Sequence, residues 1–351
     1  MQNFLKKYQL QNEVIAAGVS GGADSLALVL RLKDCGAKVV ALTVDHGLRP
    51  SSAKEAEYVA ELMKKNEIEH HVLTWEGEKP LTGIEAAARK ARYALLFAWC
   101  KEHGIKYLAV GHHRRDQAET FLLRLQRGSG LFGLCGMAMF SRQDDMVVVR
   151  PQLYDDPDDL RKYLQEKNVD WVEDESNLCD DFQRVRIRKF LSELEAKIGI
   201  SEKRLANTAL VLQRTRNYFE EEVEKRIKNH VRQWGDRVFS FSAKVISDWH
   251  AEIVYRFLAE LLCRCGRRPY APEAEELLRL IDCLKNSAFK GCTLNGCEIF
   301  VAQKRLWVVP EDGEAQVLTK IEWDKFVQVF PQYANLPYKV RRALYNDMKK
   351  V

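Results

Sequence analysis

The sequence predicts an α/β protein with an N-terminal parallel sheet that carries helices on both faces, a long helical connector and a smaller α+β second domain. Short apolar runs alternate with helical patterns over the first 115 residues, as in parallel sheets whose strands are joined by helices. Residues 201–234 then form a continuous helical pattern without Gly or Pro. Two β-like segments near the end flank Asn295-Gly296, a dipeptide typical of hairpin turns.

The N-terminal part is expected to contain four strands, each followed by a helix. The strands are 14–19, 38–44, 70–75 and 106–111, and the helices are 23–34, 51–66, 84–102 and 116–126. Residues 146–153 and 158–168 are expected to add a fifth strand and a helix. Ligands of such sheets bind beyond the carboxyl ends of the strands, so residues that follow the strands are the first candidates for a site.

The remaining segments suggest how the chain is divided. Helical patterns cover 248–265 and 272–286, and β-like segments cover 289–294 and 299–309. The expected divisions are a first domain at 1–200, the connector at 201–235, a second domain at 236–311 and a short C-terminal segment at 312–351.

Composition excludes several classes of protein. Of the 351 residues, 46% are hydrophobic and 30% charged, which rules out a disordered or collagen-like chain. No apolar run approaches the roughly 20 residues of a membrane helix, and the N-terminus lacks a signal-peptide core. The nine cysteines are odd in number, scattered and free of any C-x-x-C pair, which indicates reduced thiols. A cytoplasmic location is therefore expected.

Charge is unevenly distributed along the chain. Residues 144–181 hold 13 acidic and 4 basic side chains, whereas residues 184–234 hold 13 basic and 7 acidic ones. The basic segment fits an electrostatic contact with a polyanion, and a solvated helix face is the alternative.

The loop after the first strand is the most informative segment. It reads Gly18-Val19-Ser20-Gly21-Gly22-Ala23-Asp24-Ser25. Two glycines at a strand-to-helix turn let backbone N–H groups approach an anion, and the helix N-terminus adds partial positive charge. The two serine hydroxyls add donors, and Asp24 can hold a divalent cation that phosphate oxygens share. The loop is neither a P-loop nor a dinucleotide-binding turn.

This loop resembles the pyrophosphate loop of the N-type ATP pyrophosphatases, which have an adenine nucleotide α-hydrolase-like fold. Later segments, in the same order, resemble the tRNA(Ile)-lysidine synthetase family. They are Val44 to Arg49, Glu85 to Tyr93, Gly111 to Thr120, Leu125 to Leu134, Arg150-Pro151, Trp171 to Asn177, Arg184 to Arg188 and Phe289 to Cys297. The resemblance covers roughly residues 12–310.

The resemblance implies a two-step ligation on the wobble cytidine of a CAU-anticodon tRNA(Ile), with ATP, Mg²⁺ and free L-lysine, and leaves a homodimer open. It implies catalytic roles for Asp24, Arg92 and Asp116, with Asp24 as the metal ligand. The ATP-binding residues would be Ser20, Gly21, Gly22, Ala23, Asp24, Ser25, Asp45 and His46. Substrate or lid contacts would come from Arg89, His112, His113, Glu119, Arg127, Gly128, Ser129 and Gly130. Contacts to tRNA would come from Arg184, Arg186 and Arg188.

Two positions depart from the family pattern. Arg115 stands where the family usually has Asp or Asn, and Val185 interrupts an Arg-Asn-Arg run. The alternatives are a tRNA thiolase of the same fold, which the absence of C-x-x-C disfavours, and a homologue that binds ATP and tRNA without catalysis.

Overall fold

The computed structural model describes residues 1–47, 52–77, 80, 82–143, 145–173, 183–311 and 319–348, apart from the side chains of residues 53, 85, 183 and 184. The chain divides into two compact units, Met1–Arg214 and Thr215–Val351. Within the described ranges, no helix combines the length and apolarity needed to cross a membrane.

The first unit contains a six-stranded sheet of order β3-β2-β1-β4-β6-β5. Its strands are β1 (Val14–Gly18), β2 (Lys38–Asp45), β3 (Glu69–Thr74), β4 (Tyr107–Ala109), β5 (Phe140–Gln143) and β6 (Met146–Val149). All neighbouring pairs are parallel except β5 and β6. The predicted parallel sheet is therefore confirmed.

Helices connect these strands and pack on both faces of the sheet. They are α1 (Gln2–Lys7), α2 (Ala23–Asp34), α3 (Ser52–Lys65), α4 (Ile84–Glu102), α5 (Arg114–Gln126), α6 (Leu131–Leu134), α7 (Pro157–Glu166) and α8 (Gln183–Ile198). Ile15 and Ala17 of β1 belong to the core beneath α2, α3 and α7, whereas Ala16 belongs to the opposite core beneath α4. Alternating side chains of one strand thus fill two cores, as a doubly covered sheet requires.

The edge beyond β6 differs from the prediction. The predicted strand at 146–153 ends at Val149, and the unpredicted antiparallel strand β5 precedes it. The ring of Phe140 in β5 stacks on Phe4 and lies 4.5 Å from the ring of Tyr8, so the N-terminal segment packs against this strand.

The second unit contains a five-stranded antiparallel sheet of order β7-β8-β11-β10-β9. The strands are β7 (Arg232–Trp234), β8 (Val238–Phe241), β9 (Gly291–Leu294), β10 (Cys297–Ala302) and β11 (Arg305–Pro310). Asn295 and Gly296 join β9 to β10 with positive φ angles of 54° and 72°, which confirms the predicted hairpin.

Two sequence predictions were wrong here. The helix predicted at 201–234 is shorter: the long helix α9 (Glu202–His230) ends at His230, and strand β7 follows it. The single segment predicted at 299–309 is two strands, because Gln303 and Lys304 form a tight turn with φ angles of 51° and 60°.

Helices cover both faces of this second sheet as well. Besides α9, they are α10 (Lys244–Asp248), α11 (Ala251–Gly266), α12 (Ala274–Lys285), α13 (Lys320–Val329) and α14 (Tyr338–Met348). Phe241 and Ile299 share a core with α11 and α12, whereas Phe300 and Trp307 share one with α13 and α14. The weakly patterned C-terminal residues thus complete the core on one face of this sheet.

Candidate functional site

A cavity of about 410 Å³ lies at the carboxyl ends of β1, β2 and β4. This is where ligands bind in doubly wound sheets. Among the predicted site residues, those that line it are Ser20, Gly22, Asp24, Ser25, Asp45, His46, Arg92 and His112.

The loop after β1 is shaped by its own hydrogen bonds. Ser25 Oγ donates to the carbonyl of Gly22 at 2.9 Å and accepts from the backbone N–H of Ser20 at 3.1 Å. Gly21 adopts a φ of +83°, and its carbonyl accepts from the N–H of Val172 at 3.0 Å. The loop is therefore preformed, with its backbone turned around the start of α2.

Asp24 and His113 form the central charged pair of the site. His113 Nε2 lies 3.3 Å from Asp24 Oδ2, and only 6% of the His113 side chain is exposed. Burial raises the pKa of Asp24 and lowers that of His113. The hydrogen bond and the electrostatic attraction between the two groups act in the opposite direction and are stronger. The pKa of Asp24 is lowered from its usual value and that of His113 is raised.

Asp24 also has an oxygen suited to a cation. Its Oδ1 is buried and accepts no hydrogen bond from the described residues. Within the same residues, no group of three or more His, Cys, Asp or Glu is arranged to hold a metal. One open carboxylate oxygen beside a glycine-rich loop at a helix N-terminus suits Mg²⁺, which is usually held by one or two carboxylates together with substrate phosphates.

Asp116 lies beside this pair, at the start of α5. Its Oδ2 accepts the backbone N–H of His113 at 2.9 Å and lies 3.5 Å from His113 Nδ1. An acidic residue in the first turn of a helix is stabilised by the helix dipole. Asp24, His113 and Asp116 therefore form one continuous row of polar groups.

Glu119 lies one turn further along α5 and is almost completely buried. Its Oε1 accepts a hydrogen bond from Arg188 Nε of α8 at 2.5 Å. Burial lowers the pKa of Arg188, but Glu119 raises it more, so the guanidinium stays charged. Arg188, predicted to contact tRNA, thus packs against a buried carboxylate of the site helix.

Of the other predicted ATP and substrate contacts, Asp45, His46 and Arg92 line the cavity, whereas Arg89 does not. The guanidinium carbons of Arg89 and Arg92 lie 5.2 and 5.7 Å from the ring centroid of Tyr93, and only Arg92 lines the cavity. At the end of β2, the carboxylate of Asp45 accepts the N–H of Gly47 at 2.8 Å, and the ring of His46 meets Trp75 edge-on.

The predicted lid segment, Arg127–Gly130, connects the end of α5 to the start of α6. Gly128 adopts a φ of +69°, and its N–H donates to the carbonyl of Leu125, as at many helix C-termini. Gly130 then begins the short helix α6. The segment does not line the cavity.

Comparisons with known proteins agree with this geometry. The family profile described as a PP-loop domain matches residues 1–195. A tRNA(Ile)-lysidine synthase from Wolbachia pipientis wMel is 32% identical over 325 residues, which cover 91% of this chain and 75% of that one. The chain belongs to the tRNA(Ile)-lysidine synthase family. A tRNA(Ile)-lysidine synthase from Orientia tsutsugamushi is 31% identical over 324 residues, which cover 89% of this chain and 73% of that protein.

A solved structure shows that the fold of this lysidine synthase family member is shared more widely. The U34-tRNA thiolase NcsA from Methanococcus maripaludis matches with a TM-score of 0.51 at 16% identity, over 60% of this chain and 77% of that chain. At this identity the likeness concerns the fold alone.

The two departures from the lysidine synthase family pattern have structural explanations. Arg115 Nε donates to Glu202 Oε1 of α9 at 2.6 Å, so its charge is held by a carboxylate on another helix. Val185 is buried, with 6% exposure, so its apolar side chain suits its position. Arg186 is exposed, whereas the side chain of Arg184 and residues 174–177 of the matching segment lie outside the described residues.

Two residues at the site were not among the predicted site residues. A Cβ on Gly111, at the end of β4, would lie 3.0 Å from the carbonyl carbon and oxygen of Asp24. Gln152, which follows β6, is fully buried and donates its Nε2 to the same carbonyl at 2.7 Å. Gly111 could be inferred from the sequence as a glycine that follows a strand, whereas no local pattern indicates Gln152.

Proposed function

We propose that this chain converts the wobble cytidine of a CAU-anticodon tRNA(Ile) to lysidine, with ATP and free L-lysine as the other substrates. AMP and pyrophosphate are the by-products. Membership of the lysidine synthase family supports the reaction, and the cavity beside the loop at Ser20–Ser25 supports the use of ATP. The observation that carries the proposal is the buried Asp24 Oδ1 in the first turn of α2, next to this loop, which accepts no hydrogen bond from the described residues.

In the first step the C2 oxygen of the cytidine attacks the α-phosphorus of ATP. The bond between the α-phosphorus and the bridging oxygen breaks, and pyrophosphate leaves with that oxygen. We infer that backbone N–H groups of the loop and the hydroxyl of Ser20, which lines the cavity, bind the leaving group, whereas the Ser25 hydroxyl donates to the carbonyl of Gly22 and shapes the loop. Asp24 would hold Mg²⁺, which neutralises phosphate charge when bound. The cytidine leaves the anticodon stack to reach the cavity, a movement that single-stranded loops permit at low cost.

In the second step the ε-amine of lysine, after losing a proton, attacks C2 of the adenylated base. The bond between C2 and its oxygen breaks, and AMP leaves with the former carbonyl oxygen. In the proposed step Asp116 accepts the proton; its carboxylate ends the row that begins at Asp24 and continues through His113. Arg92 on the cavity wall stabilises negative charge that develops on the leaving phosphate.

Neither alternative function has comparable support. A thiolase needs reactive sulfur, yet none of the described cysteines lines the cavity, and burial raises the pKa of Cys100 to about 12. Loss of catalysis was suggested by Arg115, but this residue pairs with Glu202 and leaves Asp24, His113 and Asp116 together.

Mass analysis of tRNA tests the proposal directly. The purified protein is incubated with ATP, Mg²⁺, lysine and a CAU-anticodon tRNA(Ile), and the wobble nucleoside is expected to gain the mass of lysine minus water. The matched control is the same tRNA with uridine at the wobble position, which is expected to stay unmodified. Incorporation of sulfur, or a wobble cytidine that stays unmodified while ATP binds, would contradict the proposal.

A further inference from the structure

The backbone carbonyl of Asp24 is held from two sides. Gln152 Nε2 donates to it at 2.7 Å, and Gly111 lies so close that a Cβ would come within 3.0 Å. Asp24 follows β1, Gly111 follows β4 and Gln152 follows β6, which are three consecutive strands of the sheet. Three adjacent strand ends therefore meet at the residue that carries the candidate metal ligand.

Gln152 is also linked to the start of α5, through Arg31 and Asp155. Its Oε1 accepts from Arg31 Nη1 at 3.4 Å, and Arg31 pairs with Asp155 at 2.5 Å. The carbonyl of Asp155 accepts the N–H of Arg114, the first residue of α5, at 3.1 Å. The turn after β6 thus contacts both α2, which carries Asp24, and α5, which carries Asp116.

We propose that Gln152 is a positioning residue that fixes Asp24 relative to the start of α5. This inference rests on the proposed function, because it assigns Asp24 the Mg²⁺ and ATP role given above. A buried amide donates only along fixed directions, so its hydrogen bond restrains the first turn of α2 and the orientation of the Asp24 carboxylate. The residue itself touches neither substrate nor metal.

The amide has two separable contacts, and two variants distinguish them. Gln152→Leu has a similar size and loses both the bond to Asp24 and the bond to Arg31. Gln152→Glu keeps an acceptor for Arg31 but replaces the donor that faces the Asp24 carbonyl. If the contact with Asp24 positions the metal ligand, both variants are impaired, and if only the contact with Arg31 matters, Gln152→Glu behaves as wild type.

The experiment measures how much Mg²⁺ is needed for the purified chain to bind a non-hydrolysable ATP analogue, in the absence of tRNA. The half-saturating Mg²⁺ concentration is expected to rise about fivefold or more in Gln152→Leu and Gln152→Glu, the loss typical of one buried hydrogen bond. Ser240→Ala is the matched control, because Ser240 is equally buried, bonds to Trp234 and Arg305 and lies in the second unit. It is expected to lower the melting temperature without changing the Mg²⁺ requirement.

Each outcome distinguishes this inference from the proposed function. Wild-type protein that fails to bind the analogue with Mg²⁺ would overturn the proposed function and this inference together. Wild-type binding with an unchanged Mg²⁺ requirement in Gln152→Leu would overturn the positioning role alone. A normal requirement in Gln152→Glu would also overturn it, since the restraint would then act through Arg31. If Gln152→Leu fails to fold, the result for Gln152→Glu decides.

Discussion

Two neighbouring strand ends of the first sheet satisfy their polar groups in different ways. After β1, Asp24 keeps one buried carboxylate oxygen without a hydrogen bond from the described residues. After β4, the Asp116 carboxylate accepts the backbone N–H of His113, and Glu119 pairs with Arg188. A polar group left unsatisfied in a folded protein costs free energy unless a ligand completes it. The comparison concerns the carboxylates alone: one oxygen of Asp24 is open to a ligand, whereas the Asp116 carboxylate is tied to the start of α5 and that of Glu119 to α8.

The largest effect is expected where the first loop loses its open carboxylate. Asp24→Ala should lower AMP formation at least about a thousandfold, since the cation that neutralises the phosphates loses its ligand. Asp24→Asn, which keeps the shape, is expected to behave similarly. Both variants should keep the wild-type circular dichroism spectrum. Near-normal turnover in either one would contradict the assignment of the first loop to ATP.

Substitutions at the ion pair between α5 and α8 should change the stability of the protein more than its ligand binding. Arg188→Met removes the guanidinium that pairs with the buried Glu119, and the free energy of unfolding should fall by about 3 kcal/mol. Urea denaturation measures this loss.

The exposed Arg186 on the same helix is the control for this prediction. Arg186→Met should change stability by less than about 0.5 kcal/mol. If this arginine contacts a tRNA phosphate, the same change should reduce the salt dependence of tRNA binding by about one unit. The reverse pattern, with Arg188 controlling the salt dependence and Arg186 the stability, would refute this division.

The contribution of the Asp24–His113 pair to stability should depend on pH. The pKa of His113 is raised above its usual 6.5, so its contribution to stability is complete below pH 6.5 and is lost as pH rises through the folded-state value. The pKa of Asp24 is lowered below 3.8, so its contribution is complete above pH 3.8 and is lost as pH falls through the folded-state value. The pair is therefore most stabilising between these limits.

A comparison of wild type with His113→Gln measures this effect. The difference in unfolding free energy should be largest between about pH 4 and pH 6.5 and should shrink as the pH rises towards 9. A difference that stays constant from pH 5 to pH 9 would show that folding does not shift the pKa of His113.

The smallest effect is expected for Arg115, which lies in the first turn of α5 and pairs with Glu202 of α9. Arg115→Asp places a carboxylate near Glu202 and should cost less than about 1 kcal/mol of stability, as is usual for partly exposed pairs. The Michaelis constant for lysine should stay nearly unchanged in steady-state assays. A large gain in lysine affinity would show instead that the native arginine obstructs the site.

Local signals in the sequence predicted part of this architecture. The apolar runs predicted β1 to β4, and Asn295-Gly296 predicted the hairpin between β9 and β10 because both residues tolerate positive φ. The turn at Gln303 and Lys304 has the same geometry without these residue types, so β10 and β11 were predicted as one segment.

The site could be predicted only as far as it is contiguous in the chain. The glycine-rich loop and the start of α5 were predicted because their residues are adjacent in sequence. The pairs of Arg188 with Glu119 and of Gln152 with Asp24 join residues 69 and 128 positions apart. Such contacts depend on strand order and helix packing, which a single sequence does not reveal.

Three of the four edges formed by the described strands of the two sheets are short, with consequences for how the protein behaves at high concentration. In the first sheet β5 has four residues, and in the second β7 has three and β9 four. An edge strand offers unpaired N–H and C=O groups to any other extended chain, and the length of the offered strand limits how firmly that chain can attach. These three edges leave little template for intermolecular β-pairing, whereas the six-residue β3 at the other edge of the first sheet offers a longer one.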